Sequence, residues 1–223
     1  MEIEPIAHIR TDFKEKFGIP RQSGYVEGCI GRIVFTPKYR NPDALRGLKG
    51  FSHIWLIFDF SENHREGWDP MVRPPILGGN EKVGVFATRS PFRPNSLGLS
   101  SVRLLSIERT DEGCVLIVDG VDMLDGTPIY DIKPYNRRSD CHEDAVSGFV
   151  ETASRPKLTV SDPDGILSAI PEDKKEVLKR CLEMDPRPSY HDDDRTYTMH
   201  FSDYDVSFTV ENCILTVKNI KRM

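Results

Sequence analysis

For its first 150 residues this chain never sustains a helical period. Short apolar segments follow one another, at Ile3 to Ile9, Gly28 to Phe35, His53 to Phe60, Val83 to Ala87, Leu99 to Glu108, Val115 to Val118 and Thr127 to Ile132. Gly- and Pro-rich turns separate them. Closely spaced short strands of this kind predict an all-β barrel or sandwich, because βαβ units would need helical runs between the strands. No GxGxxG follows any of these segments, so a Rossmann nucleotide site is unsupported.

The pattern changes near Thr152 to Ser161. Beyond it, Pro171 to Glu183 reads PEDKKEVLKRCLE, with proline at the N1 position, acidic residues in the first turn, and Val177, Leu178, Cys181 and Leu182 on one face. That predicts an amphipathic helix. Tyr197 to Phe201, Asp205 to Val210 and Ile214 to Val217 then alternate as strands of a small antiparallel sheet. The expected organisation is mainly β: a β-barrel domain over residues 1–151 and a smaller α+β domain over 152–223. Asp192-Asp193-Asp194 reads as a solvated loop rather than a metal cluster.

Composition excludes several classes. With 223 residues, 38% hydrophobic and 29% charged, the chain suits one large or two modest globular domains. Its longest apolar runs, Ile54 to Phe58 and Cys114 to Val118, are too short to span a bilayer, and MEIEPIAHIR lacks the character of a signal peptide. The expectation is a cytoplasmic protein without membrane attachment. Cys29, Cys114, Cys141, Cys181 and Cys213 are scattered with no CxxC pair, which argues against a disulfide framework or a zinc site. The net charge is −5, yet residues up to Arg103 carry 15 Lys/Arg against 11 Asp/Glu, and the rest 15 against 24. A basic face on the first part is thereby permitted, though only weakly signalled.

The least routine stretch is Val83 to Ser100, VGVFATRSPFRPNSLGLS. A short apolar strand over Val83 to Ala87 breaks into Thr88-Arg89-Ser90, and then Pro91 and Pro94 bracket Arg93 before Asn95 and Gly98. Proline fixes φ, so this is a stiff loop. Two arginines on a rigid loop suit the grip of a carboxylate, a phosphate or an adenine ring. Arg-Pro and Pro-Asn pairs also punctuate ordinary turns.

ATRSPFRPNSLGLS resembles the signature of the TsaA-like family, which includes the TrmO-type S-adenosylmethionine-dependent tRNA adenine-N6 methyltransferases. The likeness extends to KEKFGIPRQSG (Lys14 to Gly24), RGLKGFSHIWLIFDF (Arg46 to Phe60), GWDPMVRPPILGGN (Gly67 to Asn80), DMLDGTPIYDIKPY (Asp122 to Tyr135) and DPRPSY (Asp185 to Tyr190). Six blocks in one order are far more specific than one short motif. The resemblance implies a TsaA-like β-barrel, S-adenosylmethionine as cofactor and tRNA as partner, with N6-threonylcarbamoyladenosine at position 37 as substrate. It also implies a homodimer with the cofactor near the subunit boundary, to which the apolar Pro70 to Gly79 segment would contribute.

By the same resemblance, cofactor-binding positions fall on Pro20, Arg21, Gln22, Ser61, Glu62, Arg89, Leu99, Asp122, Met123, Leu124 and Asp125, and substrate contacts on Arg93 and Asn95. Asp122 and Asp125 also suit the cap of a hairpin turn, a reading compatible with ligand binding. Leu99 equally suits a core position. Where the family usually has His after the β-strand ending at Phe60, this chain has Ser61; His64 lies three residues on. A serine cannot act as a general base near neutral pH.

The sulfonium activates its own methyl, so the protein needs chiefly to align the nucleophile and take up one proton. Asp125, Asp122 and Arg21 are the catalytic candidates: either carboxylate as proton acceptor, and Arg21, Arg89 or Arg93 as clamp on the threonyl carboxylate. A non-catalytic S-adenosylmethionine- and RNA-binding module on the same barrel is the alternative, favoured only by Ser61. A hydrolase finds no nucleophile elbow and no metal-ligand spacing.

Overall fold

The structure is a computed structural model that describes residues 2–153, 156–187 and 195–223. Six strands form a closed ring: β1 (Ala7–Arg10), β2 (Ile30–Phe35), β3 (His53–Asp59), β6 (Leu97–Thr110), β7 (Gly113–Asp119) and β8 (Pro128–Pro134). Their order is β1-β2-β7-β6-β3-β8, every pairing is antiparallel, and β8 returns to β1 through Ala7↔Ile129. Period-two alternation turns Ile9, Ile33, Ile54, Leu56, Val102, Leu116, Val118 and Ile129 into the interior, each at most 1% exposed. Gly98 is required inside the ring, since a Cβ there would lie 2.1 Å from Cζ of Phe58.

Between β3 and β6 an arm departs, held by the two-residue strands β4 (Met71–Val72) and β5 (Val83–Gly84). The apolar run predicted as a strand to Ala87 is cut short here. After Gly84 the backbone coils into a 3-10 turn over Val85–Ala87, because only Val85 finds cover while Phe86 stands 72% exposed beside Trp68. A two-stranded arm offers no second face on which to bury alternating side chains.

After the ring come two short helices, α1 (Arg137–Asp140) and α2 (Phe149–Thr152), followed by β9 (Thr159–Ser161) and helix α3 (Glu172–Glu183). Pro171 occupies the N-cap rather than the first helical position, with extended backbone. Leu178, Cys181 and Leu182 are buried at helical spacing, and Val177 partly so. Strands β10 (Tyr197–Phe201), β11 (Tyr204–Glu211) and β12 (Ile214–Arg222) follow. They form an antiparallel meander, and β9 adds to it in parallel beside β12. Asp192-Asp193-Asp194 and the last three residues of the DPRPSY block lie outside the described residues. Among the described residues no helix is long and apolar enough to cross a membrane.

The ring and the second sheet share one continuous apolar core. Residues 11–29 make the seam. Phe13 meets Phe201 edge to face at 5.8 Å, and Phe17 stacks on Tyr197 and Phe208. Cys29 and Cys181 bring their sulfurs to 3.9 Å, both buried; the neighbouring thiol first, and burial second, push the Cys29 thiol up. Polar ties flank these contacts: Lys174 reaches Asp12 at 2.7 Å, and the His200 amide donates to Glu15 at 3.0 Å.

Candidate functional site

Three chain segments meet at one end of the ring. The loop carrying Pro20, Arg21 and Gln22 is anchored through the Gly24 amide, which donates to the Gly120 carbonyl at 2.9 Å. That bond sets the loop beside the turn that follows β7. From the stiff loop ahead of β6, the Arg89 guanidinium donates to the Gln22 side-chain carbonyl. Gln22 in turn donates through its amide nitrogen to the Arg21 carbonyl at 2.6 Å.

Asp122 stands where these segments converge. Its Oδ2 accepts from Ser100 Oγ at 3.0 Å, and Ser100, only 3% exposed, projects inward from β6. Its Oδ1 is buried with no hydrogen-bond partner among the described residues. Burial raises the Asp122 carboxyl above its ordinary value; the Ser100 hydroxyl, the nearby backbone amides of Asp122 and Ser23, and the Arg89 charge act in the opposite direction. A buried carboxylate oxygen with nothing to accept from is costly, unless a ligand N–H or O–H completes it.

Asp125 is differently placed. Its Oδ1 accepts from the Thr11 amide at 2.9 Å and its Oδ2 pairs with Lys14 at 2.8 Å, so the carboxylate ties the turn to the strand end of β1. Met123 points into the core, 2% exposed, and its carbonyl accepts from Thr11 Oγ1. The Leu124 carbonyl accepts from Thr127 Oγ1. In this turn Asp122 is thus the residue with acceptor capacity to spare. Arg21 is turned toward the second unit, where Nη2 donates to the Asp185 carbonyl at 3.1 Å. That places Asp185 and Arg187 of the DPRPSY block against the site loop, with Arg187 paired to Asp185 at 2.9 Å.

Leu99 is not brought against Asp122. It follows the alternation of β6 to the outer face, 54% exposed, opposite to Ser100. Ser61 and Glu62 lie exposed on a 3-10 turn after β3, and Lys16 donates to the Glu62 carbonyl at 2.8 Å. Beside that turn opens a cleft of ≈ 220 Å³ lined by residues that include His64, Phe92 and Arg93. Arg93 is held there by donating to the Thr88 carbonyl at 3.0 Å. Asn95 is exposed at the start of β6, its carbonyl accepting from the Leu97 amide.

Two contributors escaped the sequence reading. Ser100 lay within the signature block but read as one more strand residue, and Asp59 read as part of the apolar segment His53 to Phe60. Asp59 is 8% exposed and its Oδ1 lies 2.7 Å from His64 Nε2. A charged residue inside an otherwise apolar run was the available signal.

The donor set fits a zwitterionic nucleoside cofactor: a buried acceptor at Asp122 for an amine or hydroxyl, and a guanidinium at Arg89 for a carboxylate. Known proteins agree. A profile described as the tRNA-methyltransferase O N-terminal domain matches residues 8–141, and one for the TrmO C-terminal domain matches residues 166–223. The Escherichia coli K12 tRNA (adenine(37)-N6)-methyltransferase is 37% identical over 94% of this chain and 93% of its own. A Pseudomonas aeruginosa protein classed by name with the S-adenosylmethionine-dependent methyltransferases is 38% identical over 92% of this chain and 90% of its own. A crystal structure of TrmO from Pseudomonas aeruginosa superposes with a TM-score of 0.79 at 32% identity, covering 100% of this chain and 97% of that one. On the match of its N-terminal 8–141 and on these relatives, the chain belongs to the tRNA-methyltransferase O family.

Proposed function

We propose that this protein transfers a methyl group from S-adenosylmethionine to N6 of adenine 37 of tRNA. The reading rests on membership of the family and on the activity named for its Escherichia coli relative. The observation in the site that carries it is the buried, unpartnered Oδ1 of Asp122 beside Ser100 and Arg89. Asp122 accepts from a cofactor amine or hydroxyl, Arg89 and Gln22 hold the cofactor from the facing loop, and the Ser61-Glu62 turn borders it. Bound S-adenosylmethionine supplies a methyl carried on a sulfonium, already activated for transfer. What remains for the chain is alignment, exclusion of water and removal of one proton.

The substrate nitrogen carries a threonylcarbamoyl group in this proposal. Arg93, fixed in the cleft by Thr88, holds its carboxylate, with Asn95 at the rim. Asp125 keeps the Asp122 turn in place through Thr11 and Lys14. Residues 1–151 form the barrel that performs transfer, 152–223 form a unit that helps hold tRNA, and the protein works in the cytoplasm. The protein acts as a homodimer, for which Trp68, Met71 and Phe86, exposed on the arm between β3 and β6, offer apolar surface.

Mass spectrometry of tRNA after incubation with cofactor tests the reaction: a gain of one methyl on adenine 37 is expected. Cofactor binding without any methyl gain favours instead the non-catalytic module, which Ser61, exposed at the usual His position, speaks for. Light scattering that finds only monomer at concentrations up to about 100 micromolar removes the homodimer.

A further inference from the structure

The imidazole of His64 borders the Arg93 cleft and is backed by a buried carboxylate. Its Nε2 lies 2.7 Å from Oδ1 of Asp59, and Asp59 is 8% exposed at the end of β3. Behind Asp59 stands Tyr130 of β8: burial first, and the Asp59 carboxylate second, raise its phenol. An aspartate buried this way holds its position, and it selects the tautomer with hydrogen on Nε2. That leaves the lone pair of Nδ1 available. The ring is also accessible, its side chain 59% exposed, and it lines the same ≈ 220 Å³ cleft as Arg93.

We propose that His64, oriented by Asp59, is the general base that takes the proton from the adenine N6 nitrogen as it is methylated. The proposal rests on the methyltransferase reading above and supplies the proton acceptor that reading requires. In the turn after β7, Asp125 is occupied by Thr11 and Lys14, and the spare oxygen of Asp122 is given to the cofactor amine or hydroxyl in that reading. His64 meets neither constraint. In the step the N–H bond breaks and its proton passes to Nδ1. The nitrogen's electron pair forms the new C–N bond, and the C–S pair returns to sulfur, leaving a neutral thioether. His64 also places an imidazole three residues after Ser61, on the turn where the sequence lacks the usual His.

Other charged groups face this ring. Asp59 contacts it from β3, with Tyr130 behind; Arg65 and Arg93 line the cleft; and Lys16 reaches the Glu62 carbonyl of the same turn. Arg65 is engaged with Asp69 at 3.0 Å and lies over the Phe92 ring, which holds its charge at the cleft wall.

The test uses the full chain with tRNA and S-adenosylmethionine. His64→Gln is expected to lower kcat by about 10²-fold, the usual worth of a positioned base. Its cofactor affinity by calorimetry should stay within twofold of the parent, and the acid limb of the parent's pH–rate profile should vanish. His64→Ala should regain rate with added imidazole, in proportion to the free base, which a residue that merely held the turn would not allow. Asp59→Asn, checked for folding by circular dichroism, should leave an intermediate rate. A readout independent of turnover is NMR on histidine-labelled protein, where His64 is expected as the Nε2–H tautomer in the parent and not in Asp59→Asn. An unchanged rate and acid limb in His64→Gln, with the parent active, would overturn this inference while leaving the proposed function standing. A parent that binds cofactor and methylates nothing overturns both.

Discussion

Replacing Phe13 by alanine probes whether the ring and the second sheet are one cooperative body. The ring of Phe13 is 1% exposed and packs edge to face on Phe201 at 5.8 Å and 66°. It belongs to the continuous core that runs from the strand ring into the second sheet. Removing a buried phenylalanine costs about 3–5 kcal/mol, from lost transfer energy and the cavity left behind. Of this, about 0.5–1.5 kcal/mol is the specific ring–ring term. For a chain of this size each kcal/mol moves the midpoint by about 2–4 °C, so the melting temperature should fall by roughly 6–20 °C. Calorimetry on the parent, Phe13→Ala, Phe201→Ala and the double variant measures both quantities. The parent should show one transition, and the cycle should return a coupling within the ring–ring range. Two resolved transitions in the parent, only one of them moved by Phe13→Ala, would refute the shared core. The same reasoning applies to a chain ended after Glu151: it would leave Phe13, Val26 and Cys29 without cover and is expected to melt far below the full-length protein.

Arg89→Ala removes the donor that joins Gln22 to the Asp122 region, and it should weaken cofactor binding by about 2 kcal/mol, or roughly 30-fold, in calorimetry. Asp122→Asn carries a sign. Burial raises this carboxyl in the folded state, so the folded form binds the proton more tightly than the unfolded one. The parent therefore loses stability as pH rises from the ordinary carboxyl value of 3.8 through the raised one, and stays penalised above it. Asp122→Asn should be more stable than the parent in thermal melts at neutral pH, the gap closing in acid, while its cofactor affinity falls by about tenfold or more. A variant less stable than the parent at neutral pH contradicts the assignment. Gly98→Ala drives a methyl to 2.1 Å from the Phe58 ring and should cost about 1–3 kcal/mol in urea unfolding.

How much was legible beforehand divides along physical lines. Strands β2, β3, β6, β7 and β8 were readable as short apolar segments between Gly/Pro turns, and helix α3 and the closing meander as local periods of 3.6 and two. The same held for the stiff loop around Arg89 and Arg93, since proline acts on its own backbone. The Val85–Ala87 turn was missed, because an apolar run says nothing of whether a partner exists to bury it. Among the candidate residues, the chemistry of Asp122 and Asp125 is identical in sequence, two carboxylates flanking Met123-Leu124. Only the fold separates them: it spends both oxygens of Asp125 on Thr11 and Lys14 and leaves one oxygen of Asp122 buried and bare. Leu99 and Ser100 are neighbours that the pleat of β6 sends to opposite faces. Arg21 meets the Asp185 carbonyl across 164 positions, and His64 meets a carboxylate that reads as part of an apolar segment. Residue type and period are properties of a segment and survive in the sequence. Which donor meets which acceptor depends on the closure of the ring and its shared core, and those arise only when distant segments are packed together.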